Sequence, residues 1–202
     1  MAKRRNNPLA GVSLSRTLLA STALVACVTT AMPAAAQAPA TAVPTDAVFR
    51  PGHYYGGPHV WLGNLNGAIA IGGQVERGFT QPGQYGPGII AAGVGVDYYS
   101  WNQSFGIGRY EYSVIPIQAF GNYHIPIQTL PRLDPYVGLA VVYQVVSSSW
   151  DGSGIGGSAA ASSTDIAGQL GARYFLSDQM ALQGQVGFGY GTLGLGATWR
   201  FR

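Results

Sequence analysis

His53, His59 and His124 are the only histidines of the chain, Cys27 is its only cysteine, and eight carboxylates complete the residues with obvious chemistry. A nucleophilic site needs a serine or cysteine within hydrogen-bond reach of an oriented histidine. His124 instead falls beside Asn122 in a run of alternating apolar and polar residues, and reads as a satisfied interior or rim residue. His53 and His59 lie in a stretch interrupted by Gly56, Gly57 and Pro58. No histidine pair has the helical spacing of a metal site and no cysteine–histidine set suggests zinc, so neither a metal nor a cofactor is expected. The glycine runs GSGIGGS and GFGYGTLGLG lack the lysine and the strand-to-helix setting of a phosphate loop. These residues do not make a catalytic set.

The polar residues that remain follow a period of two, the period of a strand whose side chains alternate between faces. Met180–Tyr190 sets Met180, Leu182 and Val186 against Gln183 and Gln185, and Asp165–Phe175 sets Ile166, Leu170 and Tyr174 against Asp165, Gln169 and Arg173. Ile115–Ile125 opposes Ile115, Ile117 and Tyr123 to Gln118 and Asn122. Gly88–Trp101 opposes Ile90, Val94, Val96 and Tyr98 to Asp97, while Gly67–Phe79 opposes Ile69, Ile71, Val75 and Phe79 to Gln74 and Glu76. Asp134–Ser148 alternates less cleanly, with Val137, Leu139, Val141 and Tyr143 on its apolar face. The terminal TLGLGATWRFR places Leu193, Leu195, Ala197, Trp199 and Phe201 on one face and Thr198 and Arg200 on the other. With His53–Gly63 as the least regular member, these runs predict eight strands, each near the roughly 9–11 residues that a tilted strand needs to cross a bilayer. Ser177–Gln179 and Gln128–Arg132 read as short turns, Asn102–Arg109 and Trp150–Ser163 as longer loops.

The start of the chain reads as an export signal over residues 1–36. A basic leader carrying Lys3, Arg4, Arg5 and Arg16 precedes a short apolar run, and Ala34 and Ala36 are placed for cleavage before Gln37. An Ala/Pro linker over 37–50 and a single β domain over 51–202 follow. Leaving out the leader, seven arginines and no lysine face eight acidic residues. No basic patch survives, so nucleic acid is not an expected partner. Only 9% of residues are charged, against the roughly 25% usual in soluble domains. A soluble barrel would need charge on its outer face. Here the broad apolar faces have no such covering, and they make sense only if they meet lipid while the small and polar faces fill the interior. Lipid offers backbone groups no partner, so strands span it only as a closed barrel. The fold class expected is all-β, an eight-stranded antiparallel transmembrane β-barrel. Tyr98, Trp101, Tyr110, Tyr112, Tyr143 and Tyr190 would girdle one end, with Phe79, Tyr123, Tyr174, Trp199 and Phe201 at the other.

On this architecture IAIGGQVERGF, IPIQAFGNYH, DPYVGLAVVYQVVSS, GARYFLSDQMALQGQVGFGYG and LGLGATWRF resemble the strand segments of the small bacterial outer-membrane β-barrels, the porin-like, OmpA/OmpX-type superfamily, over about residues 60–202. The resemblance implies location in a Gram-negative outer membrane, outer-membrane lipid as surroundings, and contact with the barrel-assembly machinery during biogenesis. It also implies that Leu193, Leu195, Trp199 and Phe201 form the assembly signal, here followed by Arg202. A monomer is expected.

Eight strands leave an interior that side chains can fill. Glu76, Asp97 and Asp165 are expected to meet Arg173 and Arg200 there, with Gln74, Gln118, Asn122, Gln169, Gln183 and Gln185 completing a hydrogen-bonded plug. The function expected is that of a non-enzymatic envelope protein with a role in structure, surface contact or minor porin-like passage. Alternatives are a narrow solute channel, for which the inward glycines leave room, and a lipoprotein acylated at Cys27 that binds a hydrophobic ligand. A third, a lipid A-modifying outer-membrane enzyme, would need a Ser–His pair.

Overall fold

The computed structural model describes residues 49–63, 65–106, 108–152, 157–188 and 191–201. The export signal with Ala34, Ala36 and Gln37, the cysteine Cys27, most of the linker, Tyr190 and Arg202 lie outside the described residues. Eight antiparallel strands follow one another around a closed ring: β1 (Tyr54–Leu62), β2 (Ala70–Gly78), β3 (Ile89–Phe105), β4 (Gly108–His124), β5 (Leu133–Gly152), β6 (Ala159–Phe175), β7 (Met180–Phe188) and β8 (Leu193–Phe201). β8 closes on β1 through pairs such as Tyr54↔Phe201 and Leu62↔Leu193. The irregular His53–Gly63 segment is therefore a full strand. Gly57 stands where β8 approaches so closely that a Cβ would run into the Ala197 carbonyl and the Trp199 ring. Pro58, which has no N–H to give to a ladder, points outward.

Two expected loops are strand. Asn102–Arg109 continues the β3–β4 hairpin up to the pair Phe105↔Gly108, and Trp150–Ser163 extends β5 to Gly152 and begins β6 at Ala159. Serine, glycine and alanine are poor strand formers in isolation, which is why these stretches read as loops. Each is held by a neighbour already in register, as in the unbroken run of pairs from Ser148↔Ala159 to Leu133↔Tyr174. β3–β6 thus run 17 to 20 residues against 9 in each of the other four strands. Half of the wall rises well above the other half at the end away from the termini.

The polarity of the wall is inverted relative to a soluble fold. Ile71 is 65% exposed, Leu139 64% and Ile166 74%, whereas Arg173 is 0% and Glu76 1% exposed. Every apolar strand face named above points outward, including Leu193, Leu195, Trp199 and Phe201 of β8. Along β3 the outward apolar run extends from Ile90 to Tyr98, nine residues, the length that a tilted strand uses to cross about 30 Å of hydrocarbon. Phe79, Tyr174, Trp199 and Phe201 ring the termini end, where Arg77 also lies over the Tyr54 and Phe79 rings. At the other end Tyr98 and Tyr143 point outward as expected. Trp101, Tyr110 and Tyr112 do not. They stand on the inner face of the raised wall, Trp101 stacked on Tyr112 at 4.9 Å and Tyr110 against Trp150 at 4.8 Å. Parity along the strands shows why: Trp101 shares the inward parity of the buried Tyr99, and Tyr110 and Tyr112 that of the buried Val114.

A charge at the middle of the outward band tests the inversion. Leu139→Arg is expected to destabilise the barrel by about 2–4 kcal/mol in lipid vesicles, the cost of a cationic side chain at the bilayer midplane, measured by urea unfolding followed by tryptophan fluorescence.

Candidate functional site

Inward side chains fill the barrel in three tiers. Nearest the termini, Phe49, Tyr55, Ile89, Ala91, Phe175 and Ala181 form an apolar cap. At the far end Trp61, Leu65, Tyr99, Val114, Phe120 and Val142 belong to a second cap. Between them lies a polar layer. The large inward residues are seated over inward glycines of the neighbouring strand: Asp97 lies against Gly72, Phe120 against Gly93 and Tyr136 against Gly171, each so close that a Cβ would collide. At these three positions the room that an inward glycine leaves is thus occupied by a neighbour's side chain. Gly191, with φ of 51°, turns the chain over the Trp61 ring and lets the far cap close.

The polar layer is built around Glu76 and Arg173, whose carboxylate and guanidinium form an ion pair. Asn122 Nδ2 donates to Glu76 Oε1 at 2.7 Å, and His124 Nε2 lies 3.0 Å from the same oxygen. His124 Nδ1 faces Asp134 Oδ1 at 2.9 Å. With a proton on each imidazole nitrogen, two carboxylates and two cations leave the cluster neutral, the condition for holding charge away from bulk water. Arg173 Nε donates to Gln183 Oε1 at 3.1 Å, and Thr198 Oγ1 donates to that oxygen at 2.9 Å. Gln183 Nε2 and the Tyr136 hydroxyl both donate to Gln185 Oε1, at 3.0 and 2.7 Å. Gln169 Nε2 donates to Asn122 Oδ1 at 2.7 Å, and Gln74 Nε2 to Gln183 Oε1 at 3.3 Å. Three rings surround the guanidinium carbon, Tyr136 at 5.2 Å, Phe49 at 5.5 Å and Tyr55 at 5.9 Å.

Some expected partners are replaced. Asp97 meets His59 rather than an arginine, Oδ1 to Nε2 at 2.6 Å, because β1 carries His59 inward one strand away from β3's neighbour β2. Asp165 accepts from Gln144 Nε2 at 2.9 Å, since it lies on the raised part of β6, far along the strand from Arg173. Arg200, at the termini end of β8, interacts with the Tyr55 hydroxyl and joins no carboxylate of the cluster. Gln118 is buried, 4% exposed, over Gly95. Three residues of the layer were missed. Asp134 and Tyr136 sit at the inward parity of a strand whose apolar face was legible, and that parity was the available signal, whereas His59 lies in the segment interrupted by Gly56, Gly57 and Pro58, where no face could be read. Phe49 precedes β1, so no strand period could reveal it, yet it is 3% exposed and stacks on His124 at 3.7 Å and on Tyr55 at 4.3 Å. The end of the expected linker is thus part of the filling.

Removing one partner of a buried ion pair leaves the other uncompensated. Arg173→Ala is expected to cost about 3–5 kcal/mol of stability, whereas Arg173→Met combined with Glu76→Gln should recover most of that loss. Urea titration of refolded protein in detergent micelles, read on unboiled gels, checks both.

No family model matches the chain, and no curated protein matches it. Among solved structures it is similar to Ail, the attachment invasion locus protein of Yersinia pestis, at 13% identity and a TM-score of 0.48, over 74% of this chain and 97% of that one. It is likewise similar to the N-terminal β-barrel domain of Pseudomonas aeruginosa OprF, at 14% identity and a TM-score of 0.48, over 75% and 98% of the two chains. A third is the outer membrane protein OprG from Pseudomonas aeruginosa, at 13% identity and a TM-score of 0.47, over 76% and 97%. The fold itself rests on the register and the inverted surface: the chain is a closed eight-stranded antiparallel β-barrel, apolar outside and polar within.

Proposed function

We propose that the protein is a non-enzymatic integral barrel of a bacterial outer membrane, a closed structural element of the envelope rather than a pore. The observation that carries this reading is the layering of the lumen: an ion-paired polar layer between two apolar caps, inside a wall whose outward side chains suit lipid. Solute passage would require both caps to part and the Glu76–Arg173 pair to break. The histidines support the same reading, since His59 and His124 direct ring nitrogens at carboxylates and His53 Nδ1 lies 3.2 Å from the Pro51 carbonyl oxygen. Leu193, Leu195, Trp199 and Phe201 serve as the assembly signal in this scheme, read from the lipid-facing side of β8 before the ring closes.

Planar bilayer recording tests the closed lumen. Wild-type protein is expected to show no stable conductance steps. Phe49→Ala alone is expected to stay silent because the far cap remains, while Phe49→Ala with Trp61→Ala should give only brief steps, at the moments when the Glu76–Arg173 pair opens. Stable ion-selective steps from the unmodified protein would replace this reading with the narrow solute channel.

A further inference from the structure

Among the described residues of the termini-side cap, Phe49 alone is held by no strand; Tyr55, Ile89, Ala91, Phe175 and Ala181 all belong to the ladder. Its ring lies on the His124 imidazole, 3.7 Å away and 5° from parallel, and also stacks on Tyr55. Just behind it the Gly52 N–H donates to the Gly78 carbonyl at 2.9 Å, which pins the tether to β2. About that pin the ring can swing out at the cost of the bond from the Arg50 N–H to the Tyr55 hydroxyl, 2.7 Å long. Phe49 is thus the part of the cap that can move while the wall stays closed.

The imidazole it covers is 1% exposed and meets a carboxylate at each nitrogen. Nδ1 lies 2.9 Å from Asp134 Oδ1 on β5, and Nε2 lies 3.0 Å from Glu76 Oε1 on β2. Both contacts are hydrogen bonds only while both nitrogens carry protons. A neutral imidazole has one donor, so its other nitrogen then turns a lone pair on a carboxylate. The groups packed around the ring cannot replace the lost donor. Arg173 of β6 is paired with Glu76, and its Nη1 is 3.9 Å from Asp134 Oδ2, beyond hydrogen-bond distance. Asn122 of β4 already donates to Glu76, and the Tyr136 hydroxyl of β5 to Gln185. Loss of one proton to bulk water therefore turns a neutral buried cluster into one with a net negative charge, a condition that hydration relieves.

We infer that the second proton of His124 is a latch on Phe49: while it is bound the stopper stays seated, and its loss at alkaline pH lets the ring swing out and water reach Glu76 and Asp134. The seat is at full strength while both nitrogens are protonated and weakens as pH rises through loss of that proton, the seated-to-unseated ratio falling by up to about tenfold per pH unit. The proton governs how long the ring stays, not how fast its tether returns it. Because the far cap is untouched, unlatching wets the polar layer without opening a pore.

Fluorine NMR of full-length protein in micelles tests the latch, with 4-fluorophenylalanine placed at position 49 alone. The titration runs from about pH 6, where carboxylates are ionised, to about pH 10, where an ordinary tyrosine begins to titrate. The resonance is expected to pass from a seated position to that of the urea-unfolded chain as pH rises, and to return on acidification. Asp134→Asn is expected to remain seated throughout, because a neutral imidazole then donates to Glu76 and accepts from the new amide. His124→Gln, with no proton to lose, is expected to show one state across the range. A resonance in the unmodified chain that does not move, or a transition that persists in either variant, would overturn the latch. The measurement uses no lipid, so failure of the latch leaves the outer-membrane reading standing.

Discussion

A bilayer core offers no hydrogen-bond partner to a peptide group, and the rest of this structure follows from that. Each strand must pair on both sides, so the sheet has to close, and the pairing of β8 with β1 is the step that closes it. Closure on eight strands then determines how much can fit inside. The wall obtains its outward greasiness from one parity of each strand, and the other parity must supply a filling of matched volume and balanced charge.

The filling meets both demands with few residue types. Glycines on one strand accept the bulk of a neighbour's Asp97, Phe120 or Tyr136, so large and small alternate around the ring rather than along it. With a proton on each nitrogen of His124, charge is balanced within a single cluster, Glu76 and Asp134 against Arg173 and His124, and amides carry the remaining hydrogen bonds. Glutamine suits this work because one amide both donates and accepts, as Gln183 does toward Gln185 and from Thr198. Aromatic rings around the Arg173 guanidinium join the polar layer to the cap of Phe49 and Tyr55.

Much of this was legible in the sequence, because period two is a strong signal wherever one face meets lipid. Strand number, the outward faces and the polar lumen residues Glu76, Asn122, Gln169, Arg173, Gln183 and Gln185 follow from it. Where the period carried no contrast, the reading failed. On the raised part of β5 and β6 both faces are serine and alanine, so strand resembled loop. Partner choice was also out of reach: parity says that Asp97 points inward, and only the register and shear of the closed ring say that it meets His59 rather than Arg173. Phe49 lay beyond any periodic argument because it fills the barrel from outside the strands.

That last residue has a kinetic consequence. Phe49 is joined to the wall it stoppers through only four intervening residues, Arg50 to His53, before β1 begins. A stopper on so short a tether cannot diffuse away when it leaves its seat, and its return is a first-order event at a very high effective local concentration. No soluble competitor of ordinary affinity could hold the seat against it. The termini-side mouth would therefore reclose as fast as the tether relaxes, independently of anything dissolved nearby.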